Sequence, residues 1–174
     1  QLTGVEEALT KEALDQNALD YVVFSAEEDA SITDGIQNRV SKNGLLYNIN
    51  SIGYRSNLTV QDDAFMQSLG FDGAQALVKE SNADGEEGFM MMAPADNGLR
   101  TMKVLVGVKN ATATLTAWIS DASQPSVSQQ IAAGDAEKTY LLEIPYRAAG
   151  DGRNLYVEYR VNTNSSDAQI SLKG

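Results

Sequence analysis

From Gly88 onward, apolar and polar side chains alternate in short runs, each closed by turn residues. Phe89 to Ala93 precedes Pro94, Met102 to Val108 precedes Lys109-Asn110, and Thr112 to Ile119 precedes Ser120-Asp121. Tyr140 to Tyr146 carries Pro145, Leu155 to Val161 precedes Asn162, and Ile170 to Leu172 closes the chain. Runs spaced by about 8–12 residues with turn punctuation predict an antiparallel sandwich or barrel. Successive strand side chains point to opposite faces, so the pattern also assigns a core. Val104, Val106 and Val108 share one side; Leu115, Ala117 and Ile119 another; Leu155, Val157, Tyr159 and Val161 a third.

The first half is less regular. Val5 to Ala18 is rich in helix formers and predicts a short helix or an ordered arm over residues 1–18. Leu19 to Ser25 is dense in β-branched and aromatic residues and predicts a strand followed by an acidic loop. Between Ile32 and Val60, short apolar clusters separated by Asn-Gly and Ser-Asn turns predict short strands. Ala64 to Leu69 fits one helical turn or a strand, and Asn82 to Gly88 reads as a polar loop. In the Met90-Met91-Met92 run, two side chains are expected in the core and the third in an irregular gap or patch. No repeat or linker divides the 174 residues, so one domain, 1–174, is expected, with an all-β, antiparallel, jelly-roll-like sandwich fold and a short N-terminal helix or arm.

Composition removes several function classes. Thirteen basic against 24 acidic side chains give a formal charge of −11, which disfavours nucleic acid and anionic lipid as partners. The chain has no cysteine and no histidine, so disulfides, thiolate or imidazole catalysis and sulfur- or imidazole-ligated metals are excluded. Carboxylate chemistry and lysine or serine variants remain. No apolar run approaches the ~20 residues of a membrane span, so no membrane insertion is expected. No cofactor is expected, with calcium left open by the acidic groups Glu27, Glu28, Asp29 and Asp34 and Asp84, Glu86 and Glu87. Neither group has EF-hand spacing, and solvated loop charge is the simpler reading.

A family comes into view in the second half, between Gly88 and Val161. Gly88-Phe89, Pro94-Ala95-Asp96, Gly107, Ile119-Ser120-Asp121 and Tyr146-Arg147-Ala148-Ala149 stand in the order of a motif series. The series resembles that of a β-sandwich accessory domain, carbohydrate-binding-module-like, recurrent in bacterial extracellular carbohydrate-active proteins. That family opens with an Asp-Trp-Ala-x-Trp-Gly strand and a downstream basic residue. Here Asp20, Tyr21, Val22, Phe24 and Ser25, with Arg39, stand in those places, with tyrosine and phenylalanine for the two tryptophans and serine for the glycine. The resemblance implies a sandwich module within a larger, secreted or cell-surface protein. It does not fix a ligand.

Candidate binding residues follow from chemistry. Trp118, the only tryptophan, falls out of register with Leu115, Ala117 and Ile119, on the side of Thr116 and Ser120. An outward indole suits the apolar face of a pyranose; the alternative is a cover supplied by a loop or the N-terminal arm. Tyr156 shares its face with Glu158 and Arg160, which reads either as stacking surface with polar groups or as a solvated face with an ion pair. Tyr54 and Arg55 lie among predicted loops beside Asn48, Asn50 and Asn57, as does Tyr47, which follows Leu45-Leu46 and is also a core candidate. The expected function is non-catalytic binding of a polysaccharide or oligosaccharide by aromatic stacking, by a monomeric, extracellular module. The alternatives are a spacer without a ligand, which should bury Trp118, and a carboxylate-dependent glycoside hydrolase.

Overall fold

The computed structural model describes residues 2–3, 10–25, 39–41, 45–53, 58–80, 87–162 and 166–174. In chain order the strands are β1 Leu2–Thr3, β2 Val22–Ser25, β3 Arg39–Ser41, β4 Tyr47–Ile52, β5 Leu58–Asp62, β6 Ala74–Glu80 and β7 Gly88–Ala95. They continue with β8 Arg100–Lys109, β9 Ala111–Ile119, β10 Val127–Ala133, β11 Lys138–Tyr146, β12 Arg153–Val161 and β13 Gln169–Leu172. Helix α1 spans Lys11–Asn17 and α2 spans Ala64–Ser68. One sheet has eight strands, β1-β11-β8-β13-β6-β2-β3 with β5 also on β6; the other has five, β10-β9-β12-β7-β4. Every described pairing is antiparallel.

The alternation read from the sequence is what joins the sheets. Val104, Val106 and Val108 of the larger sheet meet Leu115, Ala117, Ile119, Leu155, Val157, Tyr159 and Val161 of the smaller one in a single buried cluster. Burial of each large apolar side chain contributes about 1.5–3 kcal/mol. Tyr159 spans the layer: its fully buried hydroxyl donates to the Gly107 carbonyl at 2.7 Å. Gly107 has no room for more, since a Cβ there would lie 2.3 Å from Ser171 Oγ. Asn110, with φ 49, makes the short turn by which the chain leaves β8 and enters β9 in the other sheet.

Both helices lie on the larger sheet. Thr10 caps α1 by accepting from Ala13 N at 3.3 Å, and Asp63 caps α2 by accepting from Met66 N at 3.1 Å. Leu14 of α1 and Phe65 and Met66 of α2 pack with Leu69, Phe71, Leu105 and Leu141 in a second cluster on the outer side of that sheet. The outer face of the five-stranded sheet carries neither helix.

Several expectations are corrected. Of the methionine run only Met91 is in the core; alternation turns Met90 and Met92 outward, where both are half-buried. Pro94 does not end its strand, because β4 pairs with β7 only as far as Met92, and a proline is tolerated where one edge is open. Strands β6 and β10 stand where none was specified; of the two readings of Ala64 to Leu69 the helical one holds, over Ala64–Ser68. Glu87, expected in a solvated loop, is buried in an ion pair of 2.6 Å with buried Lys79. Lys79 also donates to Ser51 Oγ at 2.7 Å and to the Ile52 carbonyl. The other named carboxylates, Glu27, Glu28, Asp29, Asp34, Asp84 and Glu86, lie outside the described residues.

Candidate functional site

The outward face of the five-stranded sheet is built in rows, one residue from each strand. Register places Trp118 of β9 opposite Tyr156 of β12, Tyr156 opposite Met92 of β7, and Met92 opposite Tyr47 of β4. The indole and phenol rings have centroids 5.5 Å apart and planes inclined by 25°, a stacked pair. Both side chains and Met92 are half-buried, so the row is an apolar strip that keeps contact with solvent. Tyr47 joins the row by its backbone register; Tyr54 and Arg55 lie outside the described residues.

The neighbouring rows are polar. Ser128, Thr116, Glu158, Met90 and Asn50 form the next row, and Gln130, Thr114, Arg160, Gly88 and Ile52 the one after. The Thr116 and Ser128 hydroxyls are 3.2 Å apart, Asn162 Nδ2 donates to Thr114 Oγ1 at 2.7 Å, and Arg160 Nε donates to Glu158 Oε2 at 3.0 Å. Gly88 makes room for Arg160, whose Cγ would lie 3.1 Å from a Cβ at that position. On the far side of the aromatic row, Ser120 Oγ accepts from Asn154 N at 3.0 Å. A flat apolar strip edged by hydroxyls, an amide and a neutralised guanidinium can stack on a ring and exchange hydrogen bonds with its substituents.

The loop end beside Trp118 is fixed by Asp121. Its carboxylate accepts from Ser123 N at 2.9 Å and Ala149 N at 3.0 Å, and Arg153 Nε lies 3.5 Å away. These hydrogen bonds, chiefly those from Ser123, hold the half-buried carboxyl below its ordinary value. Asp96 does similar work nearby, pairing with Arg100 at 2.7 Å while its carbonyl accepts from Ala148 N at 2.7 Å. Tyr146 Oη donates to the Pro94 carbonyl at 3.3 Å, and burial pushes that phenol's pKa up. The motif residues Pro94, Asp96, Asp121, Tyr146, Ala148 and Ala149 are therefore a clamp between turns, and the ring pair is supplied by residues outside those motifs.

The sequence reading anticipated Trp118, Tyr156 and Arg160 on an outward face, and the structure puts them on one. It missed Met92, Met90, Thr114 and Ser128, whose place beside the ring pair follows only from register across strands. Among the described residues, no three acidic, histidine or cysteine side chains converge as a metal site, and no helix is long and apolar enough to cross a membrane.

No protein-family profile matches the chain, and no curated protein is similar to it in sequence. Solved structures are similar in fold. TmCBM61, a structure in complex with beta-1,4-galactotriose, superposes with a TM-score of 0.49 and 12% identity over 72% of this chain and 83% of that one. A family 29 carbohydrate-binding module complexed with mannohexaose gives 0.47 and 14% over 89% and 87%. The enzymatically active domain of bacteriophage CBA120 tailspike protein 4 gives 0.49 and 16% over 75% of this chain and 18% of that one. The antiparallel β-sandwich is given by the strand pairing of this chain itself, and at these identities and TM-scores the likeness to those structures is one of fold alone.

Proposed function

We propose that residues 1–174 form a single, non-catalytic carbohydrate-binding module of a secreted or surface-bound bacterial carbohydrate-active protein. In this reading it binds polysaccharide on the outer face of its five-stranded sheet. The observation that carries the reading is the stacked, half-exposed Trp118–Tyr156 pair on a sheet face that no described helix covers. A pyranose presents an apolar face of axial C–H groups to an aromatic plane, and its hydroxyls meet the polar rows that flank the strip. Tyr156 fixes the indole in place before the ligand arrives, which lowers the ordering cost of binding.

The ligand is neutral. The guanidinium of Arg160 is held by Glu158, and a net charge of −11 opposes the approach of polyuronates. Affinity at one shallow strip is weak, and neighbouring modules in the same protein add avidity. The half-buried Trp118 stacked on Tyr156 favours this reading over a spacer without a ligand, which should bury its tryptophan and lack a contiguous aromatic strip.

Isothermal titration against soluble galactan, mannan, xylan and glucan tests the reading. One neutral glycan class should give saturable heat that disappears in Trp118→Ala with the fold intact. Absence of heat across the panel, together with an indole shielded from a neutral quencher, would replace the binding module with the spacer.

A further inference from the structure

Lys173, directly after β13, is buried, and its Nζ meets two carboxylates at once: Asp63 Oδ1 at 2.7 Å and Glu137 Oε1 at 2.7 Å. Alternation puts it on the outer side of the larger sheet, since Ile170 and Leu172 of the same strand enter the inter-sheet core. The three side chains come from distant parts of the chain. Asp63 caps α2, Glu137 precedes β11, and Lys173 lies 110 positions from Asp63. The Phe65 ring centroid is 5.8 Å from the ammonium. One carboxylate suffices to pair a buried lysine, so the second is surplus to an ion pair.

Each member is held in place. Lys173 N donates to the Leu105 carbonyl at 2.9 Å, and Asp63 N donates to the Ala74 carbonyl at 3.0 Å. Asp63 Oδ2 accepts from Met66 N at 3.1 Å, which leaves Oδ1 turned to the lysine. Gly107 clears the space above β8: a Cβ there would lie 2.9 Å from Glu137 Oε1 and 3.1 Å from Lys173 Cε. The Glu137 side chain keeps 39% of its surface in solvent, whereas that of Lys173 keeps 2%.

Lys79, also buried, is built differently. Among the described residues it meets a single carboxylate, Glu87, and its other contacts are the Ser51 hydroxyl and the Ile52 carbonyl. It has an ion-pair partner and no second acid to carry a proton.

We infer that Lys173, Asp63 and Glu137 are a self-reacting triad that closes an amide bond between the Lys173 and Asp63 side chains. Glu137 takes a proton from the ammonium, and the freed amine attacks Asp63 Cγ. The N–C bond forms and the Cγ–Oδ1 bond breaks. Of the ammonium's three protons one stays on the amide nitrogen, and two leave with the carboxylate oxygen as water, by way of Glu137, which ends unchanged. No oxidant or activated donor enters the balance. Asp63 Oδ2 remains as the amide carbonyl and still caps α2. An amine 2.7 Å from a carboxylate oxygen has the carboxyl carbon one bond further on, close to the roughly 3–3.5 Å of a near-attack geometry. Placement of this kind is worth effective molarities of about 10⁵–10⁸ M, and exclusion of water from the buried side protects the product. The bond ties the last strand to α2, as a disulfide would. The triad lies on the larger sheet, apart from the ring pair, so neither depends on the other.

Tryptic digestion of the full chain in denaturant, read by mass spectrometry, tests the triad. The peptide carrying Asp63 should emerge joined to the one carrying Lys173, lighter than their sum by one water, about 18 Da. Peptides carrying Lys79 and Glu87 should emerge unjoined. Glu137→Gln should fold, give the Asp63 and Lys173 peptides separately, and melt on the order of 10 °C below wild type, as expected when a closure of this length is lost. If that variant does not fold, the wild-type digest carries the test. Separate Asp63 and Lys173 peptides in the wild type after prolonged incubation at neutral pH would overturn the inference and leave an ion pair. So would a lost water mapped to any other site, or joined peptides at wild-type yield in Glu137→Gln.

Discussion

Trp118 and Tyr156 face each other across β9 and β12 with ring centroids 5.5 Å apart, although neither belongs to a motif that the sequence advertises. Each ring shields one side of the other and leaves surface for a guest. Aromatic pairs of this kind contribute about 0.5–1.5 kcal/mol beyond area burial. Tyr156→Ala should therefore cost the fold about that much and weaken glycan binding more than tenfold, because the indole loses its support as well as its neighbour. Denaturant titration and calorimetry on the same variant separate the two effects. Loss of stability with unchanged affinity would restrict Tyr156 to packing.

Glu158 sets the charge of the strip. In Glu158→Gln the Arg160 guanidinium loses its partner at 3.0 Å and is left cationic beside the aromatic row. Binding of polygalacturonate, negligible in the wild type, should become detectable at low salt and vanish as salt is raised. Affinity for the neutral ligand should hardly change. Equal responses to neutral and acidic glycans would place Arg160 outside the binding face.

Lys79 and Glu87 form a buried pair, and removing one partner leaves the other charge unpaired. Glu87→Ala should destabilise the protein by about 3–5 kcal/mol, whereas Lys79→Met combined with Glu87→Leu should recover most of that loss. Equilibrium unfolding in urea measures both. Gly53 adjoins the pair, since a Cβ there would meet Glu87 Oε2 at 2.4 Å, and its φ of 87 is itself unfavourable for other residues. A larger residue at that site should reproduce part of the Glu87→Ala phenotype.

Tyr159 links the sheets through Gly107, and burial, followed by the charge of Glu137 and by Tyr140, pushes its phenol well above the ordinary tyrosine range. The folded state then keeps a proton that the unfolded chain releases near pH ~10. Its contribution is complete below that pH and is lost as pH rises toward the folded value. Tyr159→Phe should cost about 0.5–1.5 kcal/mol near neutrality, because the Gly107 carbonyl loses the buried phenol's hydrogen bond, and the gap to wild type should narrow in alkali. Urea unfolding at about pH 8 and about pH 11 checks both signs.

How much was legible follows from how each residue is used. Strands packed on one face announce themselves: the buried positions of β9 and β12 alternate with half-buried ones, while β8, buried on both faces from Val104 to Val108, is legible through its run of alternate valines. Strand β10 does not, because an edge strand with Ile131 as its one fully buried side chain reads as a polar stretch. Strand β6 hides in the opposite way: AQALVKE is made of helix formers, and its Lys79 is buried only because Glu87 meets it. The motifs carrying the family resemblance proved to be turn clamps, Asp96 to Arg100 and Asp121 to Ala149, so they encode the scaffold and not the ligand. The outward direction of Trp118 and Tyr156 was readable from alternation within each strand, but their contact was not, because register between strands far apart in sequence is a property of the folded sheet.

Intrinsic tryptophan fluorescence tests the central claim most directly, since Trp118 is the only indole in the chain. Titration with soluble neutral polysaccharides should give a saturable spectral shift with one glycan class, reduced in Tyr156→Ala and accompanied by protection of the indole from acrylamide. An indole that is already inaccessible to acrylamide and unmoved by every glycan would contradict a binding platform on this face.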